Sequence, residues 1–225
     1  MKNLNCIFLI ALLVLFQSYN GQNLDLEKLM LPADPLELKR VDLTNSGAGI
    51  GDESVQYSSY FTDDAQFLSF AGIPVKNEVN THTYSGSVIR FYNKNGVESF
   101  QGYTLTLKNP ESFKKITDYF LAHKNKFKLV YDNGKDHEER ARIFNCQENK
   151  TVYLVLSIYN NGKTSGYIDA VSDQEISLLN SRLGGTFGYY KEYLNYRKRK
   201  STDSSYLDFI KEPGNDLYKE SNNLK

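Results

Sequence analysis

Thr151–Val171, TVYLVLSIYNNGKTSGYIDAV, reads as a β-hairpin and carries the clearest core signal in the chain. Val152, Leu154, Leu156 and Ile158 alternate with Tyr153, Val155, Ser157 and Tyr159. A period of two marks a strand with one face in a core. The second strand, 164–171, follows Asn160-Asn161-Gly162. A two-residue loop, Asn161-Gly162, sets Leu154 opposite Asp169 and puts a carboxylate on the apolar face. A three-residue loop with Gly162 left-handed instead pairs Leu154 with Ile168 and Val152 with Ala170. Burying an unpaired carboxylate is costly, and such three-residue loops are common, so the second register is expected. It gathers Tyr153, Val155, Tyr159, Lys163, Tyr167 and Asp169 on an outer face that is aromatic and polar together. That face packs under a helix or loop, or it binds a partner.

Outward from the hairpin, a second one is expected at 87–108. Asn95-Gly96 is a strong two-residue turn signal, and its register sets Phe91 against Phe100 and Val88 against Tyr103. Asn109-Pro110-Glu111 opens a helix, with Asn109 as cap, Pro110 at the first position and Glu111 at the positive end. Phe113, Ile116, Tyr119 and Phe120 form its buried stripe, which His123 extends. Strands follow at 127–131 and 141–146 and lead into the central hairpin. Ser172 and Glu175 have capping-box spacing before Ile176, Leu179 and Leu183. Gly184-Gly185 ends that helix, and Tyr189, Tyr193 and Tyr196 mark a last one at 189–200. The order implies an α+β fold: a mainly antiparallel sheet of about five to seven strands, with two or three helices on one face.

The first 22 residues read as a signal peptide. Lys2 precedes a ten-residue apolar run, Ile7–Phe16, too short to cross a bilayer comfortably, and a polar exit follows. The chain is therefore expected to be exported: periplasmic, cell-surface or secreted, with no transmembrane span after processing. Of its 2 cysteines only Cys146 lies beyond that segment, so no intrachain disulfide is expected. Residues 23–52 form a lead-in in which Asp25–Met30 starts a short helix and Leu36–Leu43 an extended edge. The loop-like Asn45–Gly51 lacks the Lys-Ser/Thr of a phosphate cradle. One α+β domain spans 53–200, and 201–225 is a polar tail expected to be loosely ordered.

Lysine and arginine number 27, as do aspartate and glutamate, so no net field draws the chain to nucleic acid. No cofactor or metal motif is present. Cys146 and His137 are the only thiol and imidazole close in sequence, but Cys146 sits in a strand-like run where a buried thiol is ordinary. Asp136-His137-Glu138-Glu139 offers ligand atoms without metal-site spacing, and His82 and His123 stand apart. Asp169, Glu98 and Glu138 lie on or beside strands, but sequence spacing cannot pair carboxylates for hydrolysis. Arg197, Lys198, Arg199 and Lys200, preceded by tyrosines, resemble an anionic-surface patch, or cations suiting a helix C-terminus. Asn149-Lys150-Thr151 matches a glycosylation acceptor.

The expectation is an exported, non-enzymatic binding protein, inhibitor- or immunity-like or envelope-associated. It would present Tyr153, Tyr159, Tyr167, Lys163 and Asp169 to another protein or an envelope component. The alternative is an exported hydrolase whose site assembles only in three dimensions.

Overall fold

Alternating apolar residues make a sheet the main element of this chain. The computed structural model describes residues 24–39, 41–52, 55–62, 68–75, 88–132, 139–160, 163–182, 190–201, 204 and 206–215. In chain order the strands are β1 (Leu24–Asp25), β2 (Thr44–Asp52), β3 (Val55–Thr62), β4 (Leu68–Phe70), β5 (Ile73–Pro74), β6 (Val88–Lys94), β7 (Phe100–Leu107), β8 (Phe127–Asp132), β9 (Glu139–Cys146), β10 (Thr151–Asn160) and β11 (Lys163–Ser172). The helices are a 3-10 turn (Pro35–Leu38), α1 (Pro110–Ala122), α2 (Ile176–Arg182), α3 (Tyr190–Arg199) and α4 (Tyr206–Lys211). Eight strands form one sheet in the order β2-β3-β6-β7-β11-β10-β9-β8, every pair antiparallel, and β1-β4-β5 form a small second sheet. The fold is thus mainly sheet. It is larger than the five to seven strands expected, because Asn45–Gly51 is not a loop but part of the edge strand β2.

The large sheet buries both faces. On one, α1 and the 24–41 segment cover Phe91, Tyr103, Leu105, Phe127, Phe144, Tyr153 and Val155. On the other, α2, α3 and α4 bring Leu178, Leu179, Tyr193, Tyr196 and Phe209 against Tyr92, Ile143, Leu154 and Leu156. Helices therefore lie on two faces, not one. Both ends of the chain take part. Leu26, Leu29, Ala33 and Leu38 of the expected lead-in are core residues. Residues 26–28 turn instead of starting a helix, and the expected extended edge at 36–38 is a 3-10 turn. The expected loose tail supplies α4, whose Phe209 ring lies 6.1 Å from Tyr193 and 5.6 Å from Tyr196.

Helix α1 follows the sequence closely. Ser112 N–H donates to Asn109 Oδ1 at 2.9 Å, Pro110 occupies the first turn, and Phe113, Ile116 and Phe120 are buried. His123 departs from the stripe. It leaves helical geometry as the C-cap and is exposed, its ring 4.1 Å from Tyr119. Ser172 does not cap α2, because it is the last residue of β11. The side chain of Glu175 turns instead to Tyr57 and Lys94, accepting from the Tyr57 hydroxyl at 2.8 Å.

Both hairpin registers differ from expectation. In β10–β11, Asn160 pairs with Lys163, so the loop has two residues. Leu154 faces Asp169 rather than Ile168, and Val152 faces Val171 rather than Ala170. The carboxylate is indeed buried, at 2% exposure, but it is not unpaired. The Thr104 hydroxyl of β7 donates to Asp169, and Thr104 shares a second hydrogen bond with Tyr92 at 2.7 Å. In β6–β7, Asn95-Gly96 makes the turn, with Gly96 left-handed at φ 83°. Phe91 pairs with Tyr103 rather than Phe100, and Val88 with Thr106. The Asn93 side-chain amide donates to the carbonyls of Val97 and Glu98 and holds the extra residues out of the ladder.

Candidate functional site

The β10–β11 hairpin outruns its neighbours. β9 pairs with β10 as far as Ile158, and β7 pairs with β11 as far as Gly166. Near that end, on the face that carries α1, alternate positions of three strands converge. Arg142 pairs opposite Val155, Arg140 opposite Ser157, and Asp132 opposite Arg142. Asp132 is on this face because of a bulge. β8 shifts register between Leu129 and Tyr131, which sends Tyr131 to the α3–α4 side and returns Asp132 to the side of Phe127. Bulges re-aim side chains in this way.

Arg140 grips Asp132 with both arms, Nε to Oδ1 at 2.9 Å and Nη2 to Oδ2 at 2.6 Å. Arg142 reaches the same carboxylate through Nε alone, at 3.3 Å. Among the described residues two guanidiniums share this one carboxylate. The hydrogen bond to Asp132 raises Arg140 above its ordinary range; burial opposes this, and Tyr159 adds to it. Arg142 is 6% exposed, and its Nη groups have no partner among the described residues. Thr117 Oγ1 and Thr151 Oγ1 are sealed from solvent and unpaired. Tyr159, on the same face two positions beyond Ser157, is 45% exposed.

Of the five residues expected on one outer face, the structure brings Tyr159 to this end of the sheet, with Lys163 at the first position of β11. Tyr153 shares the face but lies deep under α1. Its ring is 5.2 Å from Phe120 and 5.7 Å from Phe127, and burial pushes its phenol well above the usual range. Tyr167 and Asp169 point to the opposite face, because the two-residue loop pairs them with Leu156 and Leu154. The five do not form one surface.

The expected basic patch is divided as well. Arg197 lies over the Tyr193 ring at 5.6 Å, Lys200 is paired with Glu212 at 2.8 Å, and Lys198 and Arg199 are exposed. Tyr193 and Tyr196 are buried, so neither offers a stacking face. Cys146 is buried and in no disulfide. His82, Glu138, Tyr189 and the 136–138 part of the acidic cluster, His137 included, lie outside the described residues, as does the 1–22 segment. Among the described residues no group of three or more His, Cys, Asp or Glu could hold a metal. No helix among them is long and apolar enough to cross a membrane. In the glycosylation-like triplet, Asn149 Oδ1 accepts from Thr151 N–H at 3.2 Å, and Thr151 is buried.

Sequence reasoning missed Asp132, Arg140, Arg142 and Ser157. A signal was present in Arg140-Ala141-Arg142-Ile143-Phe144. Read with period two, it puts two arginines on the face of Phe144, and cations on an apolar face need a partner. Comparison with known proteins finds no match: no family model, no curated protein and no solved structure is similar to this chain.

Proposed function

We propose that this chain is an exported, non-enzymatic binding protein, inhibitor- or immunity-like or envelope-associated. It would meet another protein or an envelope component at the projecting end of the β10–β11 hairpin. Arg142 carries this reading: the residue is 6% exposed and only its Nε is paired among the described residues. Beside Arg140, Tyr159 keeps a half-exposed ring of the kind enriched in interfaces. Export rests on Lys2, the apolar run Ile7–Phe16 and the polar exit after it.

An exported hydrolase ranks second. The buried or half-buried carboxylates Asp132 and Asp169 lie on opposite faces of the sheet, so they cannot serve as an acid–base pair at one bond.

The test is affinity capture from envelope and secreted extract, with the chain recovered from the exported fraction as bait. One partner held at near-equal stoichiometry by the wild type and lost with Tyr159→Ala is the expected result. Retention of the partner by that variant moves the site elsewhere. Absence of any partner, or accumulation of the chain inside the cell, overturns the reading.

A further inference from the structure

We propose that Arg142, supported by Arg140 and flanked by Tyr159, is a receptor for a single carboxylate: an Asp or Glu side chain or the chain terminus of a partner protein. This rests on the reading that the hairpin end is a binding surface, and it names the chemistry of what binds there.

Three observations lead to a carboxylate. The first is the unpaired edge. Asp132 occupies Nε of Arg142 and both donor arms of Arg140 that face it, while the Nη groups of Arg142 have no partner among the described residues. A guanidinium stays charged at any physiological pH, so a buried one with idle donors is a ligand site in waiting. The second is charge. Among the described residues of this cluster two cations meet one anion, an excess of one that one monoanion neutralises. A phosphate dianion would overshoot that excess and lie against Asp132, whose carboxylate is already fixed there. The third is shape. The two Nη groups form a planar fork, and a carboxylate meets such a fork with two parallel hydrogen bonds.

Approach is from the hairpin end. The first turn of α1 lies over Gly166: a methyl group there would overlap the carbonyl of Leu156 and meet Phe113 Cζ at 2.8 Å. Tyr159 lies beyond that point on the same face and is 45% exposed, so its ring can close over the aliphatic part of an acidic residue once its carboxylate is seated.

The test is an arginine side-chain NMR titration of the full chain at constant ionic strength, with sodium acetate, acetyl-glutamate amide and inorganic phosphate as separate probes. The expected result is a saturable shift of the Arg142 Nε–H and Nη signals with both carboxylates, and binding at least about tenfold weaker for phosphate. Arg142→Lys, which keeps the charge but not the fork, should show no saturable shift at the Arg140 Nε–H or the Tyr159 amide, both followed in the wild type as well, while the rest of its backbone spectrum stays native. A shift that grows linearly with every salt, or phosphate binding as tightly as acetate, overturns the proposal. The wild-type titration decides this even where the variant fails to fold. Saturable carboxylate binding alongside a failed affinity capture would leave the carboxylate site standing and remove the proposed function; the converse would remove only the carboxylate.

Discussion

Tyr153 and Tyr159 are three alternations apart on one strand and one face, and replacing each with alanine should give opposite results. Tyr153 is 1% exposed, and its ring lies 6.0 Å from Phe70, 5.2 Å from Phe120 and 5.7 Å from Phe127. Removing a fully buried aromatic ring typically costs about 3–5 kcal/mol, and three ring partners put this site near the middle of that range, about 4 kcal/mol. A domain of this size is stable by only about 5–15 kcal/mol, so Tyr153→Ala should be close to unfolding. For a urea slope of about 2 kcal/mol/M, the midpoint falls by about 2 M. Tyr159 is 45% exposed and near the end of the hairpin, so Tyr159→Ala should cost less than about 1 kcal/mol. Urea titration followed by far-UV circular dichroism measures both. If Tyr153→Ala stays within about 1 kcal/mol of wild type, or the two variants cost the same, the placement of β10 under α1 is wrong. The pair also controls the binding experiment: a partner lost with Tyr153→Ala reports unfolding, whereas one lost with Tyr159→Ala reports contact.

Three further outcomes are expected. Asn109→Ala removes the acceptor for Ser112 N–H and should cost about 1 kcal/mol, read as a lower urea midpoint with an unchanged slope, while Asn109→Asp should be close to neutral. Gly166→Ala drives a methyl group into the Leu156 carbonyl and Phe113, so about 3 kcal/mol or more should be lost; the exposed left-handed Gly72, where an added methyl group meets nothing within 4 Å, should lose only about 1 kcal/mol on the same change. Burial pushes Tyr131 and Tyr193 from 10.0 up to about 12, so the unfolded chain gives up these protons first. Stability from these two groups is whole below about pH 10 and drains away as pH rises through about 12; a urea midpoint at about pH 11.5 equal to that at about pH 8 would refute it.

Local signals serve well wherever their partners are also local. Asn109, Pro110 and the 113, 116 and 120 positions define α1, because a cap and a stripe are written within a few residues of each other. The turn at Asn95-Gly96 is legible for the same reason, since Gly96 supplies the left-handed residue it needs. Signals fail where composition hides an element or where its partner lies on another element. Asn45–Gly51 reads as a loop because its glycines weaken any strand propensity, yet β3 captures it at the sheet edge. The polar segment after Ser201 contributes Phe209 to the packing, and the rings that Phe209 meets belong to α3.

The hairpin register shows how such an error propagates to function. A carboxylate opposite Leu154 looks prohibitive from within the hairpin. The hydroxyl that accommodates it, Thr104, is 65 residues away on β7. Once that bond is allowed, the two-residue loop wins, Tyr167 and Asp169 turn to the far face, and the expected binding surface comes apart. The site that replaces it follows from lengths. The 13 residues of α1 extend about 20 Å, while the 10 residues of β10 extend about 33 Å. With Phe113 seated over Gly166, the helix covers the stretch around Tyr153 and stops short of the hairpin tip. A strand longer than its covering helix leaves alternate residues of its free end without an apolar lid among the described residues. Ser157, Tyr159, Arg140 and Arg142, polar residues on the strand face that carries Phe144, Cys146, Tyr153 and Val155 further along, occupy that end. Where the helix ends, the face changes chemistry, and that coincidence of sequence with geometry is the physical reason to look for a partner there.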